Sequence, residues 1–503
     1  MKRILIGLIV GMGLLQGCDK FLDLKPENIK VMSTVEDYRD LLASYMRYLK
    51  TPNRSQQKVL GSFFCYPYFS CGQHFAYRTG ELEPNKNVSS GYYDITLGEY
   101  TTGGVNLMNW QEGADELWNQ YYTFLGPINT IISGVETAEG EDERLRDYVK
   151  GEALVWRVYS YFKLLQYYSP YRTGEEYGIP VFLKPYEDPG NAMPERKTQT
   201  EVYQQIFSDC EEVFELLQRT PSTHWNCAYQ TNFMHSMLAH IYWYKAMSVV
   251  AEETDWANAL EHAEQALTGR TFVRDSATYA LMFDATAGEE FTNDEFNIRL
   301  IDGSNAQLIS ASNYYQGSST SAINASPSSD FYALFKEDDV RKLTYFRKQV
   351  DETIIYDKYN ISANPDILVS AGFRPGGGII MFFRAAEMQL IKAEALYRLG
   401  REGEAKEALD FFKQGRYLDV ANSYTESDLL NEILKERKLE FYHEQDMWWI
   451  DMKRLGTRME RVLNGTLYVL EPDDWRYCFP IPQSEMEVNK NMVQNPGWDE
   501  VNF

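Results

Sequence analysis

Residues 384–412 read Arg384-Ala-Ala-Glu-Met-Gln-Leu-Ile-Lys-Ala-Glu-Ala-Leu-Tyr-Arg-Leu-Gly-Arg-Glu-Gly-Glu-Ala-Lys-Glu-Ala-Leu-Asp-Phe-Phe412. Met388, Ile391, Ala395 and Leu399 follow one another at spacings of three, four and four, which is the period of one helix face. Gly400 suits the left-handed residue that closes a helix. Ala405, Ala408, Leu409 and Phe412 then restart the pattern. The stretch predicts two antiparallel helices joined by a tight turn. Alanines let the two backbones approach closely, and large aromatics fill the gaps between such units.

This hairpin looks like a tetratricopeptide-type unit. Working outward, the same period recurs. Val202, Ile206, Val213 and Leu217 mark a helix over Glu201–Gln218, and further helices are read over Phe233–Val250, Asp255–Leu267 and Leu429–His443. A long helix is read from about Arg144 to Tyr168, stopping before Ser169-Pro170. Another carries Leu117, Trp118, Tyr121, Tyr122 and Leu125, and Pro127 should kink or end it. The predicted fold class is all-α, with several such hairpins, long loops and little β-structure. At 503 residues, length alone suggests roughly three domains. Stacked hairpins grow linearly, so one compact architecture can also reach this size.

Asp plus Glu number 73 and Lys plus Arg 49, for a formal charge of −24. That excess works against nucleic acid, whose binding needs phosphate neutralisation, and against charge-driven docking on anionic membranes. At the N-terminus, Lys2 and Arg3 precede the apolar run Ile4–Leu15, too short to span about 30 Å of hydrocarbon. It reads as an export signal over residues 1–17. Leu15-Gln16-Gly17-Cys18 resembles a bacterial lipobox, in which Cys18 takes a diacylglyceryl thioether and becomes the mature N-terminus. Acyl chains would then anchor the protein. The other cysteines are Cys65, Cys71, Cys210, Cys227 and Cys478, an odd set with at least one free thiol unless one pairs with another chain. Cys65 and Cys71 are near enough in sequence for a loop disulfide, and spacing leaves that open.

Several segments together resemble the SusD/RagB family of outer-membrane lipoproteins. Cys18–Glu27 looks like its start. Trp118-x3-Tyr122 with Asn129, Gly151–Phe162, Gly178–Val181, and Thr200–Tyr203 with Ile206 and Asp209 follow in order. So do Ser329–Phe335 with Asp339–Arg341, Arg384–Glu387 into Ile391–Ala395, Glu436–Phe441, Pro480–Pro482, and Gln494–Gly497. One departure falls at Glu444–Asp451, where the family's Gly-His-Arg is replaced and the stretch is one residue longer. The resemblance implies a helical fold with an N-terminal region over 18–230 and a C-terminal one over 231–503. It also implies a cell-surface, lipid-anchored place in the outer membrane and a SusC-like TonB-dependent transporter as partner. Glycan is the implied cargo and peptide the alternative. No enzymatic activity, cofactor or metal is implied.

Two stretches lack helical period. Gly61–Trp110 and Glu289–Ser329 are rich in Gly, Ser and aromatic residues, and loops of that length in a compact protein are commonly functional. Flat rings cover the C–H faces of sugars, while Arg and amide groups bond hydroxyls. Chemistry and position select Tyr77, Arg78, Tyr92, Tyr93, Trp110, Tyr314 and Tyr315 as ligand contacts; packing of the loops onto the helices is the alternative role. An open aromatic platform of this kind should bind at roughly micromolar to millimolar Kd. The overall charge disfavours acidic cargo unless a local Arg or Lys reverses it.

Competing chemistry is weaker. Glu436, Glu440 and Glu444 share a helix face, and paired carboxylates serve glycoside hydrolysis. Ion pairing with Arg437 and Lys438 is the simpler expectation. His235 and His240 are five apart, unlike the i, i+4 zinc pair, and read as packing residues. Gly376-Gly-Gly378 lacks the Lys-Ser/Thr of a phosphate loop. A scaffold whose repeats bind only protein remains a further reading.

Overall fold

The computed structural model describes residues 32–50, 79–84, 111–172, 174, 176–185, 193–222, 228–269, 279, 298–302, 325–348, 352, 354–356, 378–442, 444, 446–463 and 466–500. Helices dominate them: α1 (Val35–Lys50), α2 (Gln111–Val135), α3 (Glu143–Tyr168), α4 (Gln199–Arg219), α5 (Thr231–Lys245), α6 (Asp255–Leu267), short α7 (Ser329–Tyr332) and α8 (Val340–Tyr345), α9 (Ala385–Arg398), α10 (Glu402–Lys413), α11 (Leu429–Glu440), α12 (Met447–Leu455) and α13 (Gln483–Val488). Eight short strands form four two-stranded antiparallel ladders among these residues. The all-α expectation holds.

The hairpin at residues 384–412 forms as its period requires. Gly400 adopts φ +75°, and Arg401 N donates to Leu396 O at 2.9 Å to close the turn. Ala386, Ala393, Ala395, Ala405, Ala408, Leu409 and Phe412 pack into one apolar cluster with Leu260, Ile433 and Phe441. Met388 and Ile391 face the main core instead. Leu399, expected inside, is 37% exposed because the helix stops at Arg398 and Leu399 is its cap.

Helices pack largely on sequence neighbours: α2 on α3, α3 on α4, α5 on α6, α9 on α10. Contacts of α6 with α9 join the hairpin at 384–412 to the preceding helices. The central element is α3, buried at every residue from Gly151 to Tyr168. A helix hidden on all sides must pair its polar groups internally. It does: Glu152 accepts from Trp156 Nε1, Ala228 N and Tyr229 N, and Arg157 grips both Asp209 oxygens at 2.7 Å.

Three boundaries differ from expectation. Helix α11 ends at Glu440 rather than His443, which leaves Glu444 beyond the helix face it was expected to share. Helix α2 runs through Pro127 to Val135. Helix α5 stops at Lys245 rather than Val250, where Lys245 is held by Asp255 at 2.9 Å and Val249 N turns away to Tyr171 O. No described helix is long and apolar enough to cross a membrane.

Candidate ligand-binding site

The two aromatic-rich stretches are far apart in sequence, and the structure ties them together. The first contains β1 (Leu82–Pro84) and the second β3 (Ala325–Pro327). These strands pair antiparallel, with Leu82 opposite Pro327 and Pro84 opposite Ala325. Ser328 N extends the ladder by donating to Glu81 O at 3.0 Å. The second stretch also contains β2 (Ile298–Asp302), paired with β6 (Gly378–Phe382), which leads into α9. The segment 303–324 therefore leaves from one ladder and returns to another.

Aromatic packing moors this base to the end of α11. The Tyr442 hydroxyl donates to Glu81 O at 3.1 Å, and its ring stacks on Phe331 at 4.4 Å. Phe346 meets Phe335 edge-on at 5.1 Å, and Tyr345 hydrogen-bonds Glu440 O at 2.9 Å. Such ring pairs add about 0.5–1.5 kcal/mol each beyond area burial. Phe331 and Phe335 stand i, i+4, and that spacing is the one signal along the chain for this contact.

Of the expected ligand contacts, Tyr77, Arg78, Tyr92, Tyr93, Trp110, Tyr314 and Tyr315 lie outside the described residues, as do Cys18, Cys65, Cys71 and Cys227. Along the chain, Tyr77 and Arg78 come just before Thr79, and Trp110 immediately precedes α2. Cys210 and Cys478 are free and buried.

The three carboxylates weighed for hydrolysis are fully engaged. Glu440 contacts Arg384 at 2.7 Å and Arg416 at 2.8 Å. Glu436 contacts Arg341 at 2.7 Å and Lys413 at 3.1 Å, and Glu444 contacts Arg384 at 2.8 Å. Burial alone would raise the Glu440 carboxyl; Arg416 and Arg384 overcome it and hold the group well below the usual carboxylate range. A permanently ionised carboxylate clamped by guanidiniums cannot donate a proton near neutral pH. Ion pairs do hold α11 against its neighbours, but the glutamates' partners are Arg341, Arg384, Lys413 and Arg416. Arg437 instead binds Asp451 at 2.9 Å and Glu387 at 3.2 Å, and Lys438 lies over Trp448 and Phe331. Spacing alone would let Arg437 reach Glu440, three residues on; it is drawn away by the carboxylates of α9 and α12.

The histidines pack as expected, with partners the sequence did not reveal. His240 Nδ1 lies 2.6 Å from Glu387. His235 and His262 face one another through Nδ1 atoms 2.9 Å apart. Burial, and then His235, push His262 down to about 4. Among the described residues no group of three or more His, Cys, Asp or Glu is arranged to hold a metal ion.

Two family models match. One, described as starch-binding and associating with the outer membrane, covers residues 20–243. The other, described as the SusD family, covers residues 374–498. Together they take in more than half of the chain. A SusD-like protein from Formosa agariphila is 23% identical over 96% of this chain and 97% of its own. A crystal structure of a SusD superfamily protein from Bacteroides thetaiotaomicron superposes with TM-score 0.68 at 21% identity, covering 92% of this chain and all of that one. A SusD-like carbohydrate binding protein from Bacteroides vulgatus gives TM-score 0.65 at 19% identity, covering 92% and 98%. The order of matched segments, the helical architecture and these relatives agree, and the chain belongs to the SusD/RagB family.

Proposed function

We propose that this chain is a lipid-anchored cell-surface protein that binds oligosaccharide and delivers it to a SusC-like TonB-dependent transporter. The observation that carries the reading is the β1–β3 ladder. It brings the bases of the two aromatic-rich loops side by side on a rigid helical frame, where an extended ligand could meet both. The family model's starch-binding, outer-membrane description supports it, as does the carbohydrate-binding relative of like fold. Tyr77, Arg78, Tyr92, Tyr93, Trp110, Tyr314 and Tyr315 form the proposed contact set, and acylated Cys18 the anchor. The clamping of Glu436, Glu440 and Glu444 favours binding without hydrolysis.

Calorimetry with glycan and peptide panels tests the cargo. Oligosaccharide should bind in the micromolar to millimolar range, or about −8 to −4 kcal/mol. Alanine at Tyr92, Tyr93, Tyr314 and Tyr315 should abolish that binding without moving the melting temperature. Binding of peptides alone would replace glycan as cargo. Co-purification from detergent-solubilised membranes tests the transporter, which should come down with wild-type protein.

A further inference from the structure

A cavity lies where the end of α3, the C-terminal turn of α12 and the segment after β8 (Thr466–Leu470) meet. It measures about 100 Å3, or about 520 Å3 counting its open mouth. By the smaller measure one water needs only about 15 Å3. Arg172, Lys453, Asp473, Trp475 and Asn495 line it, and none of them belongs to the two aromatic-rich loops.

Three features mark it as a place for a ligand rather than a packing gap. The first is Asn495, only 1% exposed. Its Nδ2 donates to Tyr168 O and Phe479 O at 2.9 and 2.7 Å, and to Cys478 Sγ. These three bonds fix which way the amide points. Its buried Oδ1 has no donor, and an unmet buried acceptor costs about 1–3 kcal/mol.

The second is Lys453, 3% exposed. Two of its three N–H groups go to Gln166 O and Ser169 O at the end of α3, at 2.7 and 2.8 Å. Among the described residues no carboxylate pairs with it. The carboxylates lining the cavity sit by other cations: Asp473 Oδ1 lies 2.6 Å from Arg172, close but without hydrogen-bond alignment, and Asp474 2.7 Å from Arg476. Burial lowers the Lys453 ammonium to about 8, still mostly charged at neutral pH.

The third is Trp475, 39% exposed at the cavity wall and held edge-on by Trp498 at 4.6 Å. The local backbone is adapted to this arrangement. A Cβ at Gly497 would overlap the Trp475 ring, and one at Gly456 would overlap Asp473. Asp473 itself takes φ +58°, a conformation non-glycine residues adopt at a cost.

We propose that this cavity is a second carbohydrate site, for one sugar residue bearing an acidic group. Trp475 covers a C–H face of the ring. Asn495 Oδ1 accepts a hydroxyl proton. The acidic group supplies the missing anion for Lys453, and the Arg172–Asp473 pair meets hydroxyls at the mouth. A local lysine thus reverses the bias that a charge of −24 sets against acidic cargo. The proposal takes from the loop reading only that the cargo is sugar.

Calorimetry on the full chain with glucuronate, glucose 6-sulfate, glucose and acetate decides it. Either acidic sugar should bind about tenfold or more tightly than glucose, because an ammonium left unpaired by the neutral sugar gains nothing. Trp475→Ala should weaken that binding, and Lys453→Met should remove the preference over glucose. The alanine variants of the aromatic-rich loops should leave it unchanged, so loss of loop binding and loss of this site are separable. Should Lys453→Met fail to fold, for want of its two carbonyl contacts, the wild-type ranking and Trp475→Ala still decide. Equal binding of glucose and glucuronate overturns the proposal. So does acetate binding as tightly as glucuronate, an unaffected Trp475→Ala, or no binding of either acidic sugar.

Discussion

Arg384 and Lys453 are both buried cations on the helical frame, and their surroundings differ. Arg384 sits between Glu440 and Glu444, with four hydrogen bonds to their carboxylates and the Glu440 carbonyl. Arg341, Arg416, Arg437 and Arg454 nearby each have carboxylate partners too. Among the described residues Lys453 has two carbonyls and no carboxylate. Taking a charge out of water costs several kcal/mol, recovered only by excellent pairing. A network that closes on itself leaves nothing for a ligand and serves as a lock between helices. A cation left open beside a cavity keeps its pairing capacity in reserve. Reactive-looking residues in this protein therefore separate by whether their charges are already met, which residue type alone cannot show.

The contrast can be broken most strongly at the lock. Arg384→Met removes the guanidinium shared by Glu440 and Glu444, leaving Arg416 on Glu440, and should cost about 3–5 kcal/mol in urea unfolding. A loss near zero would mean that Arg416 alone suffices and that the network is redundant.

Acid should sharpen the picture next. Glu440, Glu436 and Glu387 sit below their ordinary values in the fold, because arginine and lysine partners, with His240 at Glu387, outweigh burial. Their contribution is present above about pH 4.3, the unfolded carboxylate value, and is lost as pH falls through the folded values. His262, held near 4, adds loss between about pH 6.5 and 4, where the unfolded chain takes up the proton first. Asp209, Asp255, Asp339 and Asp451 are raised by burial and act in the opposite direction. Denaturant midpoints should fall steadily from pH 6.5 to 3, and His262→Gln should flatten the upper part. A midpoint that rises on acidification would show that the raised aspartates dominate.

The loop mooring is weaker than the lock. Tyr442→Phe removes one of two bonds to Glu81 O, the other coming from Ser328 N, and should cost about 0.5–1.5 kcal/mol. Amide exchange at Ser328, whose N–H extends the β1–β3 ladder, should quicken in that variant, and an unchanged rate would show that the ladder holds without Tyr442. Smallest is the surface. Arg458 pairs with Glu460 and Glu471 in the open, where such pairs contribute little. Arg458→Ala should leave the unfolding midpoint where it is, and a clear shift would show that exposed pairs also matter here.

Much of this was legible along the chain. The helices at 144–168, 201–218, 255–267 and 384–412 followed from apolar period and Gly400, because helix formation is decided within a few residues. Ends were less secure where tertiary contacts intervene, as at Pro127 and Val250. The wrong partners for Glu436, Glu440 and Glu444 came from reading along a helix, whereas Arg341, Arg384 and Arg416 arrive from other elements.

By itself, then, the sequence determined the helical class, the hairpin unit, the acidic balance and the two stretches rich in rings, since each depends on local period or on composition. Only the tertiary structure decided that β1 meets β3 across more than two hundred residues, that the glutamates are clamped, and that Lys453 stands without a carboxylate beside Trp475 and Asn495. Pairing of charges and of strand edges is a property of neighbours in space. Burial makes that pairing obligatory, and no spacing along the chain encodes it.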